Sequence, residues 1–296
     1  MQITFHHKVY EGYGSIVRLY GITQDPETKN YIMVLYYAEN GSLRNYLNLN
    51  TLSWEDKLFS LLIIAHGLNK IHNNELTHRD LHIGNILSYT HLSCVITDMG
   101  LCKPADYKNN TKNKNDIFGV LPYVAPEILR GQNYTKAADI YSFGIIMYEV
   151  ISGLPPYHDV SHDRCLAIKI CKGLRPRFNI KVPQLVVNLI KRCLDANPLN
   201  RPTADELENI LEKWYNILEW NSLDEPGLKE QIKEADEINN NLPNSKSPTG
   251  LGSETHTEAI YTSRLLNFNN LPEPKNSDDY YEQSNNTISM KFSGNY

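Results

Sequence analysis

The segment that most limits the possible folds is an almost uninterrupted apolar stretch, DIYSFGIIMYEVISG, at residues 139–153. Its apolar residues occupy nearly every face of a helix, and such a helix has to be surrounded by protein. Gly153 ends the helix, and the two prolines that follow closely, Pro155 and Pro156, prevent its continuation. The chain has 296 residues, of which 41% are hydrophobic, enough for a sizeable core. We therefore expect a domain of substantial size built around residues 139–153.

Amphipathic patterns elsewhere predict the helices that would surround this stretch. Residues 52–74 carry apolar side chains at the spacing of one helical face, and Ser53 and Asp56 near the start of this range resemble a capping box with the shorter acid. Three more helices are predicted at 163–172, 184–196 and 203–219, the last of them opened by the capping-box sequence TADE.

Strands are predicted mainly in the first third of the chain. Residues 16–22 and 31–37 are rich in β-branched and aromatic residues, and the turn-forming DPETKN between them indicates a β-hairpin. A short buried strand is expected within SCVITDMG, residues 93–100. Together with the helices, these strands predict the α+β class.

The composition changes near residue 221. Residues 239–254 and 269–279 are rich in Asn, Ser, Pro and charged side chains, so they cannot bury enough apolar surface to offset the entropy of ordering. We therefore predict a largely disordered tail over 221–296. Within it, AIYTSRLLNF at 259–268 is either a short docking helix or a segment with transient structure only.

Charge and cysteine content exclude several classes of protein. The formal net charge of −5 argues against a nucleic-acid-binding protein, which would normally be basic. The five cysteines are odd in number and form no C-x-x-C pair, so neither a disulfide framework nor a structural zinc site is expected. No apolar stretch is long enough to span a bilayer, and the N-terminus lacks the apolar core of a signal peptide. The expectation is a soluble, cytoplasmic protein without nucleic-acid or membrane partners.

Five short motifs occur in a characteristic order: HRDLHIGN at 78–85, DMG at 98–100, APE at 125–127, DIYSFG at 139–144 and NRP at 200–202. Each is weak alone, but the series as a whole resembles the conserved subdomains of eukaryotic protein kinases. The sequences of these motifs are most similar to those of the tyrosine-kinase-like group, in particular to divergent kinases common in fungi. The resemblance covers about residues 1–218 and does not include the tail.

This resemblance implies ATP-dependent phosphorylation of Ser, Thr or Tyr in protein substrates, with ATP and Mg²⁺ as cofactors. Asp80 matches the aspartate that orients the attacking hydroxyl and accepts its proton, and Asn85 and Asp98 match the two Mg²⁺ ligands. Mg²⁺ prefers a few such oxygen ligands together with water and phosphate. Any one of the three residues in isolation would be read as an ordinary turn residue.

The resemblance also places the adenine site. YIMVLYYAENGSL (31–43) is similar to the last strand of the small lobe and the hinge, which puts Leu35 at the gatekeeper position. The backbone of Tyr36 to Ala38 would contact the adenine, and Leu87 would form the floor beneath it. These apolar residues would be core in any fold, so only their register indicates a binding site.

Two further residues of the HRD loop are implied in catalysis. Arg79 can pair with a phosphorylated side chain of the activation loop, for which Tyr107 and Thr111 are candidates, although both could equally be solvated loop residues. His82 stands where Ser/Thr kinases carry a lysine, and an imidazole is mainly uncharged near neutral pH. Val120 replaces a threonine that usually contacts that lysine, so the preference for Ser, Thr or Tyr stays open.

Other matching positions are architectural. Glu127 and Arg201 match a buried ion pair that ties the activation segment to the helical lobe, and Asp139 matches the carboxylate that holds the HRD backbone. His78 and Met99 resemble stacked core residues, with the flexible methionine in place of the usual phenylalanine.

A G-x-G-x-x-G loop and a V-A-I-K lysine do not occur in the sequence. Since this lysine, its glutamate partner and Mg²⁺ act together, losing the lysine and the glutamate would cost orders of magnitude in rate. We therefore expect a kinase-like fold, mainly the α-helical C-lobe (46–220) with a remnant of the β-rich N-lobe and the hinge (1–45), followed by the tail (221–296). Two hypotheses stay open: part of an active kinase, truncated at its N-terminus, or a catalytically impaired pseudokinase or scaffold that docks partners through its lobe and tail.

Overall fold

The structure is a computed structural model that describes residues 2–9, 14–89, 94–107, 117–220, 227–241 and 255–276. The described helices are α1 (Gln2–Val9), α2 (Leu43–Leu49), α3 (Trp54–Asn73), α4 (Pro126–Leu129), α5 (Lys136–Ser152), α6 (Arg164–Cys171), α7 (Gln184–Cys193), α8 (Ala204–Glu219) and α9 (Leu228–Asn240). The described strands are β1 (Leu19–Gln24), β2 (Tyr31–Leu35), β3 (Leu76–Thr77), β4 (Ile86–Ser88), β5 (Cys94–Ile96), β6 (Lys103–Pro104), β7 (Ile117–Gly119) and β8 (Arg264–Leu266).

Helix α5 lies at the centre of the helical part, as its apolar sequence predicts. Every residue from Ala138 to Ile151 is buried, and α5 packs against α3 and α7. Gly144 allows α7 to approach closely, since a Cβ atom there would lie 2.7 Å from the Cβ atom of Cys193. The helix ends at Gly153 in a left-handed conformation.

The strands form four antiparallel pairs in the described part of the chain: β1 with β2, β3 with β6, β4 with β5, and β7 with β8. The hairpin predicted in the first third is confirmed, with β1 starting three residues later than the apolar pattern indicates. This content of helices and small antiparallel sheets agrees with the predicted α+β class.

Helix boundaries follow the capping signals in the sequence. Ser53 and Asp56 form the predicted capping box at the start of α3, and Thr203 and Glu206 form the one at the start of α8. Each box satisfies backbone N–H groups that have no partner within the helix, which fixes where the helix begins.

The tail differs from the predicted disorder in two segments. Residues 228–240 form α9, whose Leu228 and Ala235 are buried, and Asp236 accepts a hydrogen bond from the Trp54 indole at 3.0 Å. Residues 255–276 lie along the helical lobe. The docking helix considered for 259–268 is wrong, because residues 264–266 form the strand β8. Composition alone missed both segments because each is held by only a few buried apolar side chains, among them Leu228, Ala235 and Leu266, that pack against a preformed lobe. The remaining tail residues lie outside the described ranges.

All five cysteines are free thiols. Within the described ranges, no helix combines the length and the apolar character needed to cross a membrane.

Candidate functional site

The short strands β4 and β5 bring together the candidate base, Asp80, and the two candidate Mg²⁺ ligands, Asn85 and Asp98. Asn85 directly precedes β4 and Asp98 lies two residues after the end of β5, so both lie at the same end of this antiparallel pair. The backbone oxygen of Asn85 accepts a hydrogen bond from the amide of Thr97 at 2.9 Å, and its side-chain Nδ2 donates to the backbone oxygen of Asp80 at 2.9 Å. Hydrogen bonds therefore connect the loop that carries Asp80 to the end of the hairpin.

Asp139 holds the backbone of the HRD loop, residues 78–85, as predicted. Its carboxylate accepts hydrogen bonds from the backbone amides of His78 at 2.8 Å and Arg79 at 3.0 Å, and it also contacts Nε2 of His72 at 3.0 Å. Arg79 has a positive φ of 72°, which is unfavourable for a residue with a side chain. Two amide bonds to one buried carboxylate offset this strain and fix the direction of Asp80.

Asp80 and Asp98 lie in different environments. Asp80 is only 7% exposed, and its burial raises the pKa of its carboxyl, an effect that the charge of Asp98 reinforces and the hydrogen bond of Ser263 and the charge of His78 oppose. Asp98 is exposed, with a left-handed backbone, and its Oδ1 accepts a hydrogen bond from the amide of Gly100 at 3.0 Å. A buried carboxylate with a raised pKa suits proton transfer, and an exposed carboxylate can serve as a metal ligand.

His82 is buried and uncharged. Its Nδ1 accepts a hydrogen bond from the amide of Gly84 at 3.1 Å, so the neutral ring carries its proton on Nε2, which lies 3.8 Å from Oδ1 of Asp80. Burial, followed by the charges of Arg44 and His78, lowers the pKa of His82 to about 3. The 3.8 Å separation is too long for a hydrogen bond and the ring is neutral, so we do not count the pair as a salt bridge. His82 supplies a donor beside Asp80 but not the positive charge of a lysine.

The lowered pKa of His82 has a consequence for stability. Its folded pKa of about 3 lies below the unfolded value, so the unfolded chain binds more protons as pH falls below about 6.5 and stability decreases. Between about pH 7.5 and about pH 5.5, the free energy of unfolding should fall by about 1 kcal/mol more in the native chain than in His82→Asn. Urea denaturation of both proteins at the two pH values measures this difference. Equal losses would show that His82 is charged in the folded chain.

Arg79 is surrounded by aromatic rings. Its guanidinium lies 5.1 Å from the ring of Tyr107 and 5.5 Å from that of Tyr134, and its Nε donates to the Thr77 hydroxyl at 3.1 Å. Among the described residues, its Nη2 is buried without a hydrogen-bond partner. Tyr107 is thus beside Arg79, as the phosphorylation hypothesis requires, whereas Thr111 lies outside the described residues.

The adenine-site candidates lie around the end of β2. Leu35 pairs with Leu19 in the hairpin, the amide of Tyr36 donates to the backbone oxygen of Arg18 at 2.9 Å, and Ala38 is buried. Leu87 forms a bridge with Ser42, directly after the hinge segment. The structure therefore brings Leu87 next to the chain that follows Ala38, while the side chains of Tyr36 and Tyr37 are exposed.

The predicted ion pair of the activation segment is confirmed. Arg201 binds Glu127 through two hydrogen bonds of 2.7 and 2.8 Å, with the two side chains 0% and 5% exposed. Such a bidentate, desolvated pair fixes the APE segment onto the helical lobe.

Sequence reasoning missed Arg44 and the tail residues around Asp80. Arg44 binds Glu149 at 2.8 Å and the Tyr123 hydroxyl at 2.7 Å, and its guanidinium lies 4.5 Å from the ring of Tyr261. The tail strand β8 pairs with β7, beside the HRD loop. The partner strand β7 is distant in sequence from β8, so no local pattern indicates this pairing.

The residues present fit Mg²⁺ in the chemistry of their donors. The Asn85 amide and the Asp98 carboxylate offer hard oxygen atoms, and Mg²⁺ in phosphoryl-transfer sites uses one or two carboxylates plus phosphate and water. Among the described residues, no group of three or more His, Cys, Asp or Glu side chains forms a metal site of the all-protein kind.

Comparison with known proteins decides the family. A family model for protein tyrosine and serine/threonine kinases matches residues 8–211, more than two thirds of the chain. The chain belongs to the protein kinase family. The matched range contains all of the candidate site residues and ends before α9 and the β8 segment.

Several relatives bear kinase names. A probable serine/threonine-protein kinase of Dictyostelium discoideum is 31% identical over 206 residues, which covers 68% of this chain and 12% of that protein. A protein kinase and PP2C-like domain-containing protein of Arabidopsis thaliana is 30% identical, over 62% of this chain and 34% of that protein. A serine/threonine/tyrosine-protein kinase of Arabidopsis thaliana is 30% identical, over 62% of this chain and 47% of that protein. The chain thus spans less than half the length of these relatives.

Proposed function

We propose that this kinase-family chain transfers the terminal phosphoryl group of ATP to a Ser or Thr, or Tyr, hydroxyl of a protein, in signalling. The observation that carries the proposal is the position of Asp80, on a loop that Asp139 fixes from below and that Asn85 connects to the Asp98 turn. A base and two oxygen ligands converge there, as phosphoryl transfer requires.

In this proposal, Asp80 orients the acceptor hydroxyl and receives its proton, and its raised pKa favours that transfer. Asn85 and Asp98 would hold the Mg²⁺ that accompanies ATP. The nucleotide would supply the phosphoryl group, and the metal ion would neutralise the charge on the phosphates. His82 donates from Nε2 near the reacting oxygens. The hinge backbone from Tyr36 to Ala38 would contact the adenine, with Leu35 at the gatekeeper position and Leu87 as the floor.

We further propose that the chain belongs to the tyrosine-kinase-like group of divergent fungal type, that residues 1–45 correspond to part of the β-rich lobe, and that it acts on protein substrates in the cytoplasm. The residues of the five motifs, from HRDLHIGN to NRP, support membership of the tyrosine-kinase-like group. Relatives named as serine/threonine kinases, and one named as a serine/threonine/tyrosine kinase, support the acceptor class.

The second candidate function is a pseudokinase or scaffold. It is favoured by one feature of the HRD loop, the uncharged His82 in the place where Ser/Thr kinases carry a lysine. The two functions differ in nucleotide binding and turnover, so binding of Mg-ATP distinguishes them.

Mg-ATP should stabilise the chain against thermal unfolding through Asp98. A ligand at 100 times its dissociation constant stabilises a folded protein by about 2.7 kcal/mol. We expect a rise in the unfolding temperature with Mg-ATP that Asp98→Ala abolishes, and that Asp106→Ala, a change at another exposed aspartate, retains. An unchanged unfolding temperature of the native chain at saturating Mg-ATP would favour the scaffold.

A further inference from the structure

The tail supplies a strand to the site itself. Strand β8 pairs antiparallel with β7, with Arg264 opposite Gly119, Leu265 opposite Phe118 and Leu266 opposite Ile117. A Cβ atom on Gly119 would lie 3.7 Å from Oδ1 of Asp80, so β7 runs directly beside the candidate base. An extended peptide that adds to a strand edge is a common mode of peptide recognition. Here the added peptide is the chain's own tail.

Specific contacts hold the residues just before β8. The backbone amide of Ile260 donates to Nδ1 of His162 at 3.1 Å, and the Tyr261 hydroxyl donates to the backbone oxygen of Pro156 at 2.9 Å. The Tyr261 ring also lies 4.5 Å from the guanidinium of Arg44. Two different parts of the helical lobe therefore fix the direction in which the tail enters the site.

The residues within and after β8 are anchored as well. Arg264 donates to the backbone oxygen of His162 at 2.5 Å, and Leu266 and Leu271 are buried. Farther along, Glu273 forms a two-pronged ion pair with Arg130. Anchors on both sides of residues 262 and 263 hold this short stretch across the candidate base.

Ser263 is the tail residue presented to Asp80. It precedes Arg264, which faces Gly119 across the strand pair, and its hydroxyl contacts the Asp80 carboxylate. Ser263 is also exposed, so the residue is not enclosed by the helical lobe. Its neighbour Thr262 is exposed too, but adjacent residues of an extended chain point in opposite directions.

We propose that residues 260–266 are an intramolecular acceptor peptide and that Ser263 is a site of autophosphorylation in cis. This inference rests on the proposed kinase function and names its first substrate, a serine followed by Arg264, Leu265 and Leu266. While it is bound, the segment also occupies the place of other protein substrates, so it competes with them.

The reaction is balanced without any further reactant. The Oγ atom of Ser263 forms a bond to the γ-phosphorus of ATP, and the bond from that phosphorus to the β–γ bridging oxygen breaks. The hydroxyl proton passes to Asp80 and then to solvent, which leaves phosphoserine and ADP. The product places a dianionic phosphate against the Asp80 carboxylate, and like charges at this distance repel. Release of the phosphorylated segment from the site follows.

The experiment incubates the full chain with Mg-ATP and maps phosphorylated residues by mass spectrometry, with casein as a separate protein substrate. We expect phosphate on Ser263, at a first-order rate that does not depend on protein concentration. Ser263→Ala should lose this phosphate, and the matched variant Thr262→Ala should keep it. Leu266→Asp, which removes a buried anchor of β8, should slow phosphorylation of Ser263 and speed that of casein.

Each result decides between the two proposals. Phosphorylation of casein without phosphate on Ser263 would overturn the cis site and leave the kinase function standing. A rate on Ser263 that rises with protein concentration would replace the cis reaction by one between two copies. Absence of phosphate on both casein and Ser263 would overturn the cis site together with the kinase function.

Discussion

Replacing Asp80 by asparagine should lower the rate of phosphoryl transfer by about 10²–10⁴-fold, the usual contribution of a positioned general base. The amide has nearly the same size as the carboxylate and can still accept a hydrogen bond from Ser263, but it cannot receive the proton. Because the loop is fixed by Asp139 rather than by Asp80 itself, the fold should persist. The measurement is the initial rate of phosphate incorporation at saturating Mg-ATP.

The control separates chemistry from binding. Asp80→Asn should keep the Mg-ATP-dependent rise in unfolding temperature, because Asn85 and Asp98 are unchanged, and Asp106→Asn should keep the full rate. A rate for Asp80→Asn within about threefold of the native one would remove Asp80 from the role of base, since even modest acid–base catalysis exceeds that factor.

Removing the buried glutamate of the activation segment should cause the largest loss of stability. Glu127→Ala leaves the Arg201 guanidinium buried without its carboxylate, and breaking such a pair costs about 3–5 kcal/mol. The native pair has two hydrogen bonds, and both side chains are almost fully buried. Urea denaturation measures the change in the free energy of unfolding.

The exposed pair Glu75–Lys136 provides the matched control. Its atoms are 3.0 Å apart, but its side chains are 76% and 36% exposed, and pairs of this kind contribute about 1 kcal/mol or less. Glu75→Ala should therefore have a small effect. Equal losses for Glu127→Ala and Glu75→Ala would mean that the Arg201 pair does not stabilise the APE segment.

Much of the helical part was predictable from local sequence. The apolar run of α5 required burial, and the Ser53 and Thr203 capping boxes fixed the starts of α3 and α8. These signals are local, since a helix forms its hydrogen bonds within a few residues of sequence.

The site was predicted from motif order, and the structure adds the contacts that sequence cannot give. The Asp139 brace and the Glu127–Arg201 pair followed from matching positions. The neutral state of His82 depends on its burial and on the nearby charge of Arg44, which lies outside the five motifs. Burial depends on the whole fold, so a pKa of this kind cannot be derived from neighbours in sequence.

The tail was the least predictable part. Strand β8 has three residues and finds its partner β7 far away along the chain, so neither length nor composition indicates it. Leu266 and Leu271 bury their side chains only because the helical lobe already offers a surface. Asn- and Ser-rich sequence around such anchors has the composition of disorder, although the anchored residues are ordered.

The most direct test is the mass of the full chain after incubation with Mg-ATP, compared between the native protein and Asp80→Asn. We expect the native chain to gain phosphoryl mass, located on Ser263, and Asp80→Asn to gain almost none in the same time. An equal gain in both proteins, or no phosphate on either the native chain or added casein, would contradict phosphoryl transfer centred on Asp80.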